Sequence, residues 1–253
     1  ASISDLFYKK AAIGLEKVEV IAVPTTAGSG AELSYGAILF DKANNYKGGL
    51  RSPLLQPDQV FIDVDIYKEA PSRLIAETGF DCMTHAIETY LSSKSTPLVR
   101  YQSVAAIQVA LKHLEKAVAK NIPDLEQMAI ASAMMGINLA LSSTCLPHRL
   151  QYALGPHTNT SHAQGLIILY RGWLPLVSKT REFEMLESAL GLEHGELVAK
   201  VEGLKQQLNI DYRASDYGLT ESEVPLLVEK VEGIFDADPC YISKQTTWHI
   251  WKI

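Results

Sequence analysis

Residues 72–91 read SRLIAETGFDCMTHAIETYL. Apolar residues recur at helical spacing through this stretch, so we predict that it forms a helix. Asp81 and His85 are four residues apart in it, and their side chains therefore leave one face of the helix, one turn from each other. A carboxylate and an imidazole in this arrangement form half of a divalent-metal site. A hydrogen-bonded Asp–His pair on the helix surface is the alternative interpretation.

The chain changes character near residue 70. Before it, short runs of β-branched and aromatic residues predict strands at 18–23, 35–40 and 59–63, with the first of them buried. After it, helical periods predict seven or eight helices, which include 72–91, 97–118, 123 to about 141, 163–178, 181–191, 195–208 and 220–234. We therefore expect an α/β N-terminal portion over residues 1–70, a partial Rossmann-like layer, followed by an all-helical metal-binding domain over residues 71–253.

The composition weighs against several classes of function. The chain carries 23 basic and 29 acidic residues, a net charge of −6, whereas proteins that bind nucleic acid through its phosphates show a basic excess. No apolar run approaches the roughly 18–20 residues that span a bilayer, and the first residues lack a signal-peptide pattern. The three cysteines have no paired spacing, which indicates a reducing compartment. We expect a cytoplasmic protein that binds neither nucleic acid nor membrane; a homo-oligomeric state is left open.

A second group of ligand-type residues occupies 147–165, PHRLQYALGPHTNTSHAQG. Three of the seven histidines fall within 15 residues here. Together, Asp81, His85, His148 and His162 would supply one carboxylate and three imidazoles. This set suits Fe²⁺ or Zn²⁺ and leaves a position open for a substrate oxygen. A polar loop whose histidines are satisfied by hydrogen bonds is the alternative.

Three segments, in the same order along the chain, resemble the iron-containing (group III) alcohol dehydrogenases. Residues 23–32, VPTTAGSGAE, resemble that family's PTTAGTGSE segment, and residues 79–88 resemble its GMDALTHAIE block. The stretch from His148 to His162 keeps the spacing of the family's remaining two metal histidines. The resemblance extends over about residues 18–180 and implies a dehydroquinate synthase-like/iron-containing alcohol dehydrogenase-like fold.

The resemblance also implies roles for individual residues. The residues at the family's metal-ligand positions are Asp81, His85, His148 and His162. The residues implied at the nicotinamide–ribose end of the cofactor are Thr25, Thr26 and Gly28. Lys47 is implied to lie near the active-site cleft. Without the resemblance, the segment around Gly28 would be interpreted as a tight strand-to-loop turn. Glu88, one turn beyond His85, is expected either to orient a metal ligand or to be a solvated helix residue.

One departure from the family concerns the cofactor. The family has an upstream α/β region with a Gly-Gly-Gly-Ser phosphate-binding turn, whereas the two dozen residues before Thr25 contain no such turn. Residues 1–12 resemble the helix that follows that turn, with Asp5, Lys9 and Lys10 as remnants. The chain is therefore either a shortened homologue that lacks most of the N-terminal dinucleotide-binding region or part of a longer protein. Because backbone N–H groups of that turn hold the cofactor's phosphates, NAD(P) binding is in doubt.

The other departure concerns proton transfer. The family has a histidine four residues after its third metal ligand, and this chain has Tyr152 there, a weaker acid that can donate a hydrogen bond or relay a proton. With Lys47, Tyr152 is a candidate catalytic residue.

The sequence thus predicts a metal-dependent oxidoreductase that interconverts a small alcohol and its aldehyde or ketone with NAD(P). One Fe²⁺ or Zn²⁺ per chain would polarise the substrate oxygen. A non-redox metal-dependent lyase, isomerase or hydrolase that reuses the metal site without a nicotinamide cofactor is the alternative, and a non-catalytic assembly subunit is the third hypothesis.

Overall fold

The structure is a computed structural model of the chain, and it describes residues 3–8, 14, 17–231, 233 and 235–251. Within the segment that resembles the helix after the phosphate-binding turn, Ile3–Phe7 forms a short helix, α1. Lys9 and Lys10 lie outside the described residues.

Four short strands lie in the N-terminal portion. β1 (Ile21–Ala22) pairs in parallel with β4 (Gln59–Val60). β2 (Gly36–Asp41) and β3 (Tyr46–Arg51) form an antiparallel hairpin in which Phe40 lies opposite Lys47. β3 was not predicted, because two consecutive glycines interrupt its strand pattern. Among the residues that the structure describes, its backbone pairs only with β2.

The prediction that residues 18–23 form a buried strand is wrong. Only Ile21 and Ala22 are in β1, and the side chains of Val18 and Ile21 are 82% and 56% exposed. β-branched residues favour extended backbone, but burial needs a second layer of structure. Within the described residues, β1 has only β4 as a partner.

Helices make up most of the described chain after residue 63. Its helices are α2 (Val64–Glu69), α3 (Ser72–Leu91), α4 (Pro97–Val118), α5 (Ile122–Leu141), α6 (Leu146–Thr158), α7 (His162–Val177), α8 (Arg181–Leu190), α9 (Glu196–Gln207) and α10 (Val224–Lys230). The predicted helices 72–91 and 97–118 are confirmed at both ends, whereas the predicted helix 220–234 is shorter in the structure. The expected fold class, an α/β portion followed by a helical body, is confirmed.

Helix α6 was not predicted, and it lies where the alternative interpretation placed a polar loop. Gly155 and Pro156 lie inside it, and both residues ordinarily indicate the end of a helix. Because packing against α7 and β3 holds α6, tertiary contacts override the local signal.

Helix α3 is the centre of the helical body. Sixteen of its 20 residues are buried, since α4, α5, α7 and α8 pack around it. Polar side chains on α3 therefore need partners inside the protein. Within the described residues, no single helix has both the length and the apolar character to cross a membrane; α5 and α6 meet that test only as a pair, bent by 99°.

Candidate metal centre

Three helices bring the four predicted metal ligands together. Asp81 and His85 lie one turn apart on α3, His148 lies on α6, and His162 is the first residue of α7. One ligand atom each from Asp81, His85 and His148 lies within 4.8 Å of the others. The ring centroid of His162 is 5.3 Å from that of His148. Residues far apart in sequence thus form one cluster.

Three of the four residues of the cluster are buried, and His162 is half-buried. Asp81, His85 and His148 are 5%, 3% and 4% exposed, so the alternative of a surface Asp–His pair is wrong. Burial of a carboxylate next to imidazoles is unfavourable unless each polar atom has a partner. The contacts of the ring nitrogens therefore show how the cluster is stabilised.

Each of the three histidines points its Nδ1 at an oxygen. His85 Nδ1 is 2.9 Å from the backbone oxygen of Asp81 and 3.0 Å from its Oδ1. His148 Nδ1 is 2.9 Å from Glu88 Oε1, and His162 Nδ1 is 2.8 Å from Gln151 Oε1. When the Nδ1 atoms donate in these contacts, each Nε2 keeps a lone pair.

Two of those Nε2 atoms face each other. His148 Nε2 is 3.0 Å from His85 Nε2 and 3.7 Å from Asp81 Oδ1. Two lone pairs at this distance repel unless a proton or a cation lies between them. One carboxylate and three imidazoles are a ligand set for Fe²⁺ or Zn²⁺, so the residues present fit a divalent cation.

The pKa shifts of His85 and His148, whose Nε2 atoms face each other, have opposite directions. Burial opposes a charge on His85, but Asp81 outweighs it, so the pKa of His85 is raised. Burial and the charge of His85 hold the pKa of His148 well below its usual range. Although burial acts in the other direction, His85 lowers the pKa of Asp81. These directions favour protonation of His85 over His148, which would place a proton between the two facing nitrogens when no cation is bound.

Glu88 contacts the Nδ1 atom of His148, on the opposite edge of the ring from the Nε2 atom that faces His85. It is fully buried, which excludes the solvated residue considered from the sequence. Its Oε2 accepts the backbone N–H of Cys145 at 2.8 Å, while its Oε1 contacts His148. Burial raises the pKa of Glu88 to about 8, against the opposite effects of His85 and the Cys145 N–H. Glu88 orients this imidazole as a carboxylate does in many metal sites.

Lys47 and Tyr152, the two candidate catalytic residues, lie beside the cluster. Lys47 Nζ donates to Gln151 Oε1 at 2.5 Å and lies 5.5 Å from the centroid of the Tyr152 ring. The Arg149 guanidinium carbon is 5.7 Å from the same centroid, so two cations face the ring. Burial lowers the pKa of Lys47 to about 8, although Asp81 opposes this, and burial raises the pKa of Tyr152.

The loop that contains Thr25, Thr26 and Gly28 packs on two helices. Gly28 is buried, and a Cβ there would lie 3.2 Å from Thr78 Cβ on α3. Its carbonyl accepts the hydroxyl of Ser132 on α5 at 3.1 Å. Thr25 is exposed and Thr26 is half-buried. Packing is thus one reason for the small residue at position 28, and the cofactor role of these three residues stays a prediction.

Gln151 is a site residue that the sequence did not reveal. It is fully buried and contacts both Lys47 and His162. Its position three residues after His148 is the only signal in the sequence, and glutamine at that spacing has no specific meaning.

Two sequence profiles match the chain, and together they cover most of it. A sequence profile of the C-terminal part of the Fe-containing alcohol dehydrogenase family matches residues 75–250. A profile for iron-containing alcohol dehydrogenase matches residues 2–64. The chain belongs to the iron-containing alcohol dehydrogenase family.

Individual members of this family are similar over most of the chain. An aldehyde-alcohol dehydrogenase of Streptococcus pneumoniae is 28% identical over 232 residues, which cover 82% of this chain and 26% of that protein. A lactaldehyde reductase of Escherichia coli is 27% identical over 227 residues, 84% of this chain and 58% of that protein. The chain therefore spans about a quarter of the first relative and somewhat more than half of the second.

A solved structure has the same fold. The sulfoacetaldehyde reductase from Bifidobacterium kashiwanohense, solved in complex with NAD⁺, superposes with a TM-score of 0.87 at 23% identity over 99% of this chain and 68% of that one. An iron-containing alcohol dehydrogenase superposes with a TM-score of 0.83 at 23% identity over 99% of this chain and 66% of that one, which confirms the expected fold.

Proposed function

We propose that the chain carries the metal-binding part of an oxidoreductase that interconverts a small alcohol and its aldehyde or ketone with NAD(P). The observation that supports this most directly is the buried cluster, in which two Nε2 atoms face each other at 3.0 Å beside a carboxylate. Both relatives described above are named as a dehydrogenase or a reductase, which favours the redox reaction over lyase, isomerase or hydrolase chemistry.

The proposed metal ligands are Asp81, His85, His148 and His162. A divalent cation bound by them would act as a Lewis acid toward a hydroxyl or carbonyl oxygen of the substrate. We propose Fe²⁺ as the resident ion, because the family is described as iron-containing, with Zn²⁺ as a competitor that suits the same ligands.

Proton transfer is proposed for Lys47 and Tyr152. Burial brings the pKa of Lys47 to about 8, close enough to neutral pH for the amine to exchange a proton. The hydroxyl of Tyr152 is proposed to donate a hydrogen bond toward the substrate side of the cluster, with its ring held between Lys47 and Arg149.

The α/β portion is proposed to face the cofactor. We propose that residues 1–70 form a cofactor-side domain and that residues 71–253 form the metal-binding domain. Thr25, Thr26 and Gly28 would contact the nicotinamide–ribose end of the cofactor. The reach of Lys47 from β3 to Gln151 supports a site between the two. A cytoplasmic location and a homo-oligomeric state stay predictions.

The decisive experiment combines three measurements on one preparation. Metal content is measured after loading with Fe²⁺ or Zn²⁺, NADH and NADPH are titrated by nicotinamide fluorescence, and short alcohols and aldehydes are screened for turnover. One metal per chain, saturable cofactor binding and reversible turnover are expected. Metal binding without any nicotinamide binding or turnover would contradict the proposed oxidoreductase activity and favour the non-redox lyase, isomerase or hydrolase. The variant His148→Ala is expected to abolish metal binding.

A further inference from the structure

The fully buried Gln151 links the α/β portion to the last metal-ligand candidate. Its Oε1 accepts a hydrogen bond from Lys47 Nζ at 2.5 Å and contacts His162 Nδ1 at 2.8 Å. Its Nε2 lies 3.5 Å from the carbonyl of Ser161. A single amide oxygen therefore joins strand β3 to the first residue of α7.

The chemistry of Lys47 determines which way this amide points. A lysine amine that is charged has only donors, so it faces the amide oxygen and not the amide NH₂. Close packing fixes the position of the side chain, whereas hydrogen bonding selects between its two amide orientations. A Cβ at Gly155 would lie 2.6 Å from Gln151 Nε2, and a Cβ at Gly165 would lie 2.8 Å from Gln151 Cγ. The two glycines thus make room for the side chain at the position observed.

The amide oxygen in turn determines the tautomer of His162. Because this oxygen only accepts, Nδ1 of His162 must carry the proton, and Nε2 keeps its lone pair. We infer that Gln151 is a positioning residue: Lys47 orients its amide, and the amide holds His162 in the tautomer whose Nε2 binds the divalent cation. This inference rests on the metal site of the proposed function.

The three histidines then differ in what holds them. His85 and His148 are held by acceptors on α3, the Asp81 backbone and Glu88. His162 alone among them is held through a residue whose orientation depends on the hairpin strand β3. A displacement of β3 would therefore weaken the metal site at His162 first.

The test uses two variants of similar shape, Gln151→Met and Lys47→Met, in the full chain. Long-range ¹H–¹⁵N correlation of the histidine rings reports the tautomer in the metal-free protein, with the His162 signals identified by their loss in His162→Asn. Affinity for Zn²⁺ is measured by competition with a chelator. Nδ1–H is expected in the unchanged protein. Gln151→Met is expected to mix the tautomers and to weaken Zn²⁺ binding about 10- to 100-fold, and Lys47→Met to do the same to a smaller degree.

Two further variants separate hydrogen bonding from packing. Gln151→Glu keeps an acceptor oxygen for His162 Nδ1 and replaces the amide NH₂ with a second acceptor, and it is expected to restore both the Nδ1–H tautomer and Zn²⁺ affinity. Lys205→Met removes another buried lysine, which pairs with Glu202 at 2.8 Å on α9, and is expected to leave both measurements unchanged.

Several outcomes would overturn the inference. These are an unchanged tautomer and affinity in Gln151→Met, equal losses in Gln151→Met and Gln151→Glu, or no Zn²⁺ binding by the unchanged protein. Normal Zn²⁺ binding that depends on Gln151, in a protein without alcohol or aldehyde turnover, would contradict the proposed reaction alone and support the inference.

Discussion

At the scale of single residues, each histidine of the cluster is held by a different kind of oxygen. His85 uses the backbone carbonyl of Asp81, with the Asp81 carboxylate also at 3.0 Å; His148 uses the carboxyl group of Glu88, and His162 uses an amide. A cation bound at the cluster would lower the pKa of Glu88 below the value of about 8 that burial gives it. The ionised acceptor then strengthens its hydrogen bond and raises the basicity of the imidazole more than a neutral acceptor does. Glu88 is therefore expected to contribute most to metal affinity among these three acceptors.

Replacement of Glu88 by glutamine tests this contribution. Glu88→Gln leaves one acceptor oxygen for two donors, His148 Nδ1 and the Cys145 N–H, so affinity for Zn²⁺ is expected to fall about 10- to 100-fold. Chelator competition measures the change. Glu187→Gln is the matched control, because Glu187 is 2% exposed and accepts backbone N–H groups of Gly195 and Leu197 away from the cluster. Equal affinities in the two variants would contradict the role of Glu88.

At the scale of elements, the glycine-containing loop is fixed by close approach to α5. Gly30 has a positive φ of 65°, which side chains disfavour. A Cβ at Gly30 would lie 2.0 Å from the carbonyl oxygen of Ser132, and a Cβ at Gly136 would lie 1.9 Å from that of Gly30. Two backbones thus touch where no side chain fits.

Alanine at two glycines is expected to have opposite effects on stability. Gly30→Ala must move the loop away from α5, so we expect a loss of roughly 2–4 kcal/mol in the free energy of unfolding. Gly203→Ala lies within α9, where a Cβ meets nothing within 4 Å, and is expected to stabilise by about 0.5–1 kcal/mol through helix propensity. Urea unfolding of both variants measures this. A Gly30→Ala protein as stable as the original would show that the loop is not held by this contact.

A second link between elements is Asp238, which is 5% exposed. It joins the C-terminal segment to the start of α6 and to α7. Its Oδ2 accepts the N–H of Leu146 at 2.9 Å and the indole N–H of Trp173 at 2.8 Å, and its Oδ1 accepts the N–H of Cys240 at 2.7 Å. Burial nevertheless raises its pKa to about 6, against these donors.

The raised pKa gives a pH dependence with a definite sign. Between the ordinary pKa of 3.8 and the folded value of about 6, the folded state binds more protons than the unfolded state, so the free energy of unfolding falls as pH rises through this window. Asp238→Asn removes this contribution. We expect the variant to be less stable at pH 5 by about 1–3 kcal/mol, because an amide cannot accept all three bonds, and this deficit to shrink at pH 7.

Urea unfolding of both proteins with a chelator present, at pH 5 and pH 7, measures the difference. The chelator keeps metal binding from adding its own pH dependence. A deficit that stays constant or grows between pH 5 and pH 7 would mean that the pKa of Asp238 is ordinary or lowered in the folded protein; either would contradict the prediction.

At the scale of the whole molecule, the candidate ligands come from α3, α6 and α7, and the hairpin strand β3 contacts the cluster through Lys47. A bound cation would connect elements that are separated by up to 81 residues, from Asp81 to His162. Unfolding disperses these ligands, so metal binding and folding are coupled.

Metal is therefore expected to raise the thermal stability of the whole chain. With free Zn²⁺ at 100 times its Kd, the gain is about 2.7 kcal/mol in the free energy of unfolding, and a chelator should reverse it. Calorimetry with and without Zn²⁺ measures the change in Tm. His85→Ala is the control, since it removes a ligand and should lose the metal-dependent part of Tm. An equal Zn²⁺-dependent rise in Tm for His85→Ala would show that the stabilising metal binds at a different site.

The sequence alone predicted the helices that carry strong apolar periods and a proline at the start, such as 72–91 and 97–118, because helical periodicity and capping are local properties. It also supplied the family motifs, and through them the ligand types and their spacing. It did not predict α6, whose glycine and proline argue locally for a break, or the exposure of β1, because burial of a strand depends on which layers cover it.

The convergence of Asp81, His85, His148 and His162 is a property of the tertiary structure, since a spacing of 63 residues between His85 and His148 carries no geometric information. Only the packing of α6 and α7 on α3 places their nitrogens together. The roles of Glu88 and Gln151 have the same origin. A glutamate or glutamine is ordinarily solvated, and it becomes the partner of a histidine only where the fold removes water and leaves the imidazole no other acceptor.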